Sequence, residues 1–357
     1  MRRVLRDAGP TWFTPVMGTG VLACGAEVLP VGGAVLDPIA TMLWAVAALL
    51  LMGVSLAGLA AWQRPHRSLR AEVMNPEVAP FLAAPPIAVL TVAAGALLAG
   101  APLLGERASV WLAAVLWTLG TASGLAVAVV VPVVKFTRHS LRAEDWLATW
   151  ILPTVPPLVS ASTGALLLAH LPAGQAQLTM LLAGWAMLGA TLVATMATLS
   201  ILWARMAFHQ VGAAAATPTV WLVLGPLGQA VTAALLLGEA GVGVLPAPYG
   251  AGLRDVGLAV ALPIWGFTLL WLMIAATITL DVARRHLPFT LTWWSFVYPV
   301  GTCVVGTSLL ADVTRAVAVS AIAVGLFALL VSAWVVSGVR TTRAARARLV
   351  ALEYSAA

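Results

Sequence analysis

By length alone, 357 residues would suit two or three soluble domains. Composition excludes that: 61% of the residues are hydrophobic and 9% charged, against roughly 25% charged in soluble proteins, and the mean hydropathy is +1.00. The net charge of +6 does not mark a nucleic-acid binder, because the basic residues lie in short loops between apolar stretches.

Apolar segments long enough to cross a bilayer recur along the chain. Ten are expected, at 12–32, 38–62, 79–100, 109–134, 147–170, 175–203, 217–238, 250–280, 287–311 and 314–339. The fold class is therefore an all-α polytopic membrane protein. Residues 1–11 read as a cytoplasmic N-terminus, 12–340 as a ten-helix transmembrane domain and 341–357 as a cytoplasmic tail. The opening MRRVLRDAGP carries no small-residue cleavage pattern, so the first span is expected to be retained. Connectors are short, which makes consecutive spans hairpins.

The odd-numbered spans share a pattern. The first reads WFTPVMGTG, the third FLAAPP, the fifth WILPTVPP, the seventh PTVWLVLGPLGQ and the ninth WWSFVYPVGT. Each places an aromatic residue a few positions before a proline. The even spans are smoother Ala/Leu/Val helices, the eighth alone expected to hold an internal proline, Pro263. A proline removes an amide donor and disturbs the preceding turn. At membrane depth, irregular backbone is tolerated only against protein or along a water-filled cavity. Five such helices in alternation predict an inner ring around a central pore, with five plainer helices outside. Internal repeats of this kind are a common transporter device.

All but Arg107, Arg254 and Arg315 of the 19 lysines and arginines fall on one side of this arrangement. The positive-inside rule makes that side cytoplasmic, with both termini there and an even number of crossings. Localisation in the cell membrane follows. Cys24 and Cys303 lie within apolar segments and read as packing residues. Glu144 and Asp145 open the fifth span and read as capping residues. The histidines lie near loops and show no metal-ligand spacing. No cofactor or metal is expected. An enzyme is not expected either, since there is no H-E-x-x-H motif and no pair of mid-span aspartates.

The polar residues of the bent helices form the expected lining: Thr14, Thr19, Thr154, Gln229 and Thr302, with Ser160, Ser162 and Thr163 beside them. Each hydroxyl has the alternative of bonding its own helix's carbonyls. Gly18, Pro86, Pro153, Pro226 and Pro299 complete the candidate set from the same breaks. No Asp, Glu, Lys or Arg falls mid-span. Ion-coupled carriers place such groups there, so a channel or facilitator is favoured over a pump.

The segments FTPVMGTG (13–20) and WWSFVYPVG (293–301) resemble the tellurite-resistance/dicarboxylate transporter family. That family includes a bacterial tellurite-resistance membrane protein, yeast malate and sulfite transporters and plant guard-cell slow anion channels. The resemblance implies five hairpins around a central anion pore, a homotrimer with one pore per subunit, and a small anionic substrate, C4-dicarboxylates such as malate or succinate first. Sulfite or tellurite efflux and inorganic-anion conduction are the alternatives. It also implies a gate: the family plugs its pore with a phenylalanine before the ninth-helix break. Tyr298 stands at that position here, a departure whose hydroxyl is able to meet an anion as well as block it. Phe296 is the substitute plug.

Overall fold

The computed structural model describes residues 9–62, 68–140 and 142–354. Arg2, Arg3, Arg6, Arg64, His66 and Arg67, which contributed to the charge asymmetry, lie outside the described residues. The described chain is helical throughout. Its principal helices are α1 (Thr14–Glu27), α2 (Gly33–Trp62), α3 (Ala84–Ala99), α4 (Glu106–Arg138), α5 (Pro156–Leu168), α6 (Gln175–His209), α7 (Leu224–Val244), α8 (Tyr249–Arg285), α9 (Tyr298–Thr314) and α10 (Val317–Tyr354). Among the described residues, eight helical stretches are long and apolar enough to cross a membrane. A pair bent by 45°, Ala148–Thr154 with α5, makes a ninth. The remaining expected span falls on α1, whose 14 residues rise only about 21 Å.

Even and odd helices differ in burial. In the most apolar stretches of α2, α4, α6, α8 and α10, only 17–28% of residues are buried, against 72–94% in the spans built on α3, α7 and α9. Nearly all of α1 and α5 is buried as well. The odd helices meet in sequence: α1 packs on α3, α3 on α5, α5 on α7, α7 on α9, and α9 again on α1. Each also packs on the even helix that follows it. The even helices carry the exposed leucines, valines and methionines, such as Leu49, Met52, Leu119, Val129, Met273 and Val317.

The even helices overrun their expected ends. α4 reaches Arg138, α6 His209 and α8 Arg285, and α10 continues through the expected tail to Tyr354. Pro263 is not the only proline inside an even helix, because Pro38 lies in the first turns of α2 and Pro132 lies in α4. The latter sits near the end of its helix.

All five odd helices start in the same way. A 3-10 segment comes first: Pro10–Phe13, Ala79–Ala83, Ala148–Thr154, Ala214–Val223 and Leu291–Phe296. The chain then widens into α-helix at or just before a proline: Pro15, Pro85, Pro156, Pro226 and Pro299. Proline in the first turn of an α-helix forfeits only an amide that has no helical partner anyway. The expectation that these prolines leave carbonyls needing a pore is thus corrected. The chain tightens rather than unwinds, and i→i−3 bonds such as Trp12 N to Gly9 O (3.0 Å), Phe81 N to Val78 O (2.9 Å) and Val297 N to Trp294 O (3.1 Å) keep the backbone paired.

Tryptophans tie the outer helices to the next inner ones. The Trp44 indole N–H of α2 donates to Val92 O of α3 (3.0 Å), and Trp117 of α4 donates to Ser160 O of α5 (2.9 Å). Trp265 of α8 donates to Thr307 Oγ1 of α9, and Trp334 of α10 to Thr19 Oγ1 of α1, both at 3.1 Å. In α6, Trp185 joins the apolar cluster shared with α7, but its Nε1 is buried without a partner. Where water is absent, an indole N–H bonded across helices is favoured over one left unpaired.

The inner contacts are close. A Cβ on Gly228 of α7 would come within 2.6 Å of Thr302 and of the Cys303 amide nitrogen on α9, whereas one on Gly225 would meet nothing within 4 Å. Gly228→Ala is expected to destabilise the folded protein by about 1–3 kcal/mol through overpacking, and Gly225→Ala to stay within about 0.5 kcal/mol. Thermal unfolding in detergent distinguishes them; equal midpoints for the two variants would rule out this close α7–α9 approach.

Candidate functional site

Two small cavities are each lined by residues from all five odd spans. The narrow one, about 20 Å³, is bordered by Thr14, Ala84, Val155, Gly225 and Tyr298, together with Met17, Phe81, Leu152, Leu222 and Pro299. The wider one, about 90 Å³, is bordered by Val21, Thr91, Ser162, Thr232 and Val305, with Gln229, Thr163, Cys24 and others around them.

These residues occupy equivalent positions. Thr14, Ala84, Val155, Gly225 and Tyr298 each immediately precede the proline at which their helix widens. Val21, Thr91, Ser162, Thr232 and Val305 each stand six positions after that proline. The two rings are seven residues apart, two helical turns or about 10.5 Å. Further lining residues follow at helical spacing on the same faces: Cys24 and Val28, Ala94 and Leu98, Leu166, Leu236, Leu309. A helix presents one face through residues three and four apart.

The first ring holds one bulky side chain. Tyr298 is 4% exposed. Its hydroxyl accepts from Gln229 Nε2 at 3.4 Å, a long contact. Gln229 Oε1 lies 3.0 Å from the Ser162 hydroxyl, which also lies 3.0 Å from Val159 O. Tyr298 borders the narrow cavity and Gln229 the wide one, so this pair stands between them. Thr91 donates to Ile87 O (2.7 Å) and Thr232 to Gly228 O (3.0 Å). No charged side chain borders either cavity.

Of the residues expected at the site, Thr14, Ser162, Thr163, Gln229, Tyr298 and Pro299 border these cavities. Others are directed elsewhere. Thr19 accepts the Trp334 indole in the α1–α10 seam. Thr154 donates to Ile151 O (2.8 Å) and lies 3.5 Å from Thr195 of α6. Thr302 donates to Pro299 O (2.7 Å) and faces Leu224 O of α7 (3.3 Å). Gly18 is pressed against Trp294 and Val297. Pro86 borders an outward-facing groove between α2 and α4. Pro153 and Pro226 are buried and border neither cavity. Phe296 packs edge-on to Trp221 (5.2 Å) and Trp293 (5.7 Å), in an aromatic cluster beneath α9. Its offset of two residues turns it off the axis that Tyr298 faces. Glu144 lies in the first turn of the short 3-10 segment Ala143–Asp145 and pairs with Arg142 at 3.1 Å on the exposed surface.

Thr91 and Thr232 were missed from the sequence, each being one threonine in an Ala/Leu-rich helix. The signal that finds them is register: counting from the five prolines brings both to the same level as Ser162.

A bundle of this kind, apolar outside and uncharged but polar along a narrow internal axis, defines a polytopic α-helical membrane protein. Residues 7–342 match the SLAC1 family, described as voltage-dependent anion channel, and the chain belongs to that family. The resemblance of FTPVMGTG and WWSFVYPVG to this transporter and channel family therefore extends over nearly the whole chain. A transporter of Methanocaldococcus jannaschii is 26% identical over 342 residues, 95% of this chain and 94% of its own length. A second from that organism is 27% identical over 348 residues, 96% of each chain. The sulfite efflux pump SSU1 of Trichophyton rubrum is 29% identical over 308 residues, 84% of this chain and 80% of its own.

Cysteine substitution tests the lining. In a Cys24→Ser, Cys303→Ser background, Thr91→Cys and Thr232→Cys are expected to react with a small aqueous thiosulfonate about ten times faster than Thr19→Cys and Thr302→Cys, because thiol reactivity follows exposure. Equal rates at all four positions would refute the assignment of these faces.

Proposed function

We propose that the protein is a passive pathway for small anions, running along the axis enclosed by α1, α3, α5, α7 and α9 and occluded by Tyr298. The observation that carries this reading is the pair of rings in register, one holding a single bulky side chain and the other hydroxyls. An anion leaving water is met by the hydroxyls of Thr91, Ser162, Thr163 and Thr232 and by the Gln229 amide, all able to donate. These hydroxyls bond helix carbonyls that already have backbone partners, so they turn to an anion at little cost. Binding is then weak enough to permit release, as conduction requires.

Sulfite is the first cargo to test, on the strength of the fungal relatives. C4-dicarboxylates such as malate follow from the resemblance of the motifs. The same reading includes ten crossings in five hairpins, with the 14-residue α1 and its 3-10 lead forming the first. It places both termini in the cytoplasm of a cell-membrane protein, on the arginine-rich side. A homotrimer with one pathway per subunit rests on the family resemblance.

Purified protein in liposomes is expected to pass sulfite, and one or more of malate, nitrate and chloride, down a gradient. A preparation that moves none of them would overturn the reading. Tyr298→Ala is expected to raise flux about tenfold, a barrier reduction of ~1.4 kcal/mol. Tyr298→Phe keeps the ring and should leave the occlusion in place. Flux unchanged in Tyr298→Ala would remove this residue as the gate.

A further inference from the structure

A space that the anion pathway does not explain is an apolar groove of about 520 Å³ on the outer face of the molecule, within the roughly 300–1,000 Å³ of typical ligand pockets. One wall is Ser55, Gly58 and Leu59 of α2, and the other runs along α4 from Ser123 to Val131. α2 and α4 pack on α3 rather than on each other. The floor is Leu82, Pro85, Pro86 and Val89, the outward side of the segment where α3 widens from 3-10 to α. Alternate residues of that segment, Phe81 and Ala84, border the narrow axial cavity.

We infer that the groove binds an acyl chain of a phospholipid from the leaflet on the arginine-rich side. Its mouth opens between two outer helices whose adjoining residues, Leu56 (62%), Leu59 (60%) and Val129 (62%), are apolar and exposed, so the medium at the mouth is hydrocarbon. The small side chains of its rims, Gly58 and Ala126 among them, leave room for an unbranched chain between the helices. Cations stand where the head group would lie. Exposed Arg70 is in the short helix Leu69–Met74, whose Leu69, Glu72 and Val73 close that end, and exposed Arg138 is two turns beyond Val131 on α4. Such residues attract phospholipid phosphates near a membrane surface. An acyl chain in this position supports the α3 switch from behind. The choice of leaflet rests on the orientation proposed above; the presence of the lipid does not.

The test is native mass spectrometry of the full chain released from mild detergent, with thermal unfolding in parallel. A Cβ on Gly58 meets nothing within 4 Å, so Gly58→Phe fills the groove without disturbing the backbone. Gly53, on the same helix, is equally open and does not line the groove, so Gly53→Phe is the control. Bound phospholipid is expected to fall about tenfold in Gly58→Phe relative to wild type and Gly53→Phe. Added phospholipid should raise the unfolding midpoint of the latter two only, since a ligand stabilises the state that binds it. Ala126→Phe enters from the opposite wall and repeats the test should Gly58→Phe not fold. Equal lipid retention in all the variants would overturn the inference. So would efficient Leu59→Cys cross-linking between copies, which would give the groove to a second subunit; the native thiols Cys24 and Cys303 are buried and do not interfere. Because neither readout involves transport, failure here is distinguishable from failure of the anion pathway.

Discussion

Within a bilayer, every backbone amide and carbonyl has to find its partner inside the protein. That constraint governs this molecule, because its five inner helices each change type partway along. The change is affordable only in the form seen: 3-10 bonding up to the proline, α bonding after it, and no unwound residue between. Even so, 3-10 geometry bonds less well than α, and it has to be shielded from lipid. The outer helices do this with uninterrupted runs of 30 to 38 residues. Regular outer helices and irregular inner ones are thus two parts of one solution.

Placing the switch at the same point in five helices sets the register of everything that faces the axis. The residue before each proline arrives at one level and the residue six later at another. At the first level the side chains are Thr14, Ala84, Val155, Gly225 and Tyr298. Five large side chains could not share a ring this narrow. One tyrosine fits because the other positions are small, and Gly225, with open space where a Cβ would stand, gives the most room. On the proposed reading, occlusion therefore depends on a single side chain, although the scaffold presenting it is nearly five-fold repeated.

This division explains what was legible in the sequence. The aromatic–proline alternation in the odd spans is a local chemical pattern, and it separates the buried helices from the exposed ones. Helix phase was not legible. The inner helices are apolar on all sides, so hydrophobicity does not tell which face meets the axis and which meets a neighbour. Thr19, Thr154 and Thr302 were chosen as polar residues on the right helices, but all three serve seams between helices. Thr91 and Thr232 lie on the axial face and carry no local mark. The tryptophan ties were equally hidden, since Trp44, Trp117, Trp265 and Trp334 find partners on other hairpins. The ends of α4, α6, α8 and α10 were underestimated because their final turns carry arginines and leave the hydrophobic window while remaining helical.

The absence of charge from the axis bears on how an anion would cross on the proposed reading. A fixed cation about 4 Å from a passing anion attracts it by about 4 kcal/mol at an effective dielectric constant near 20, which lengthens residence roughly a thousandfold. Hydroxyls already bonded to helix carbonyls, and the Gln229 amide already bonded to the Tyr298 hydroxyl, offer much less, because each new bond to the anion replaces one already made. The ion pairs of the described residues lie at the exposed helix ends, Arg142–Glu144, Arg254–Glu239, Arg285–Asp281 and Arg315–Asp312. There they are screened and contribute little to stability. Charge is therefore available to orient the chain and to draw ions towards the mouths, while the interior binds them only loosely. Such an arrangement favours rapid passage of a small anion down its gradient over tight capture, provided the ring of Tyr298 is out of the way.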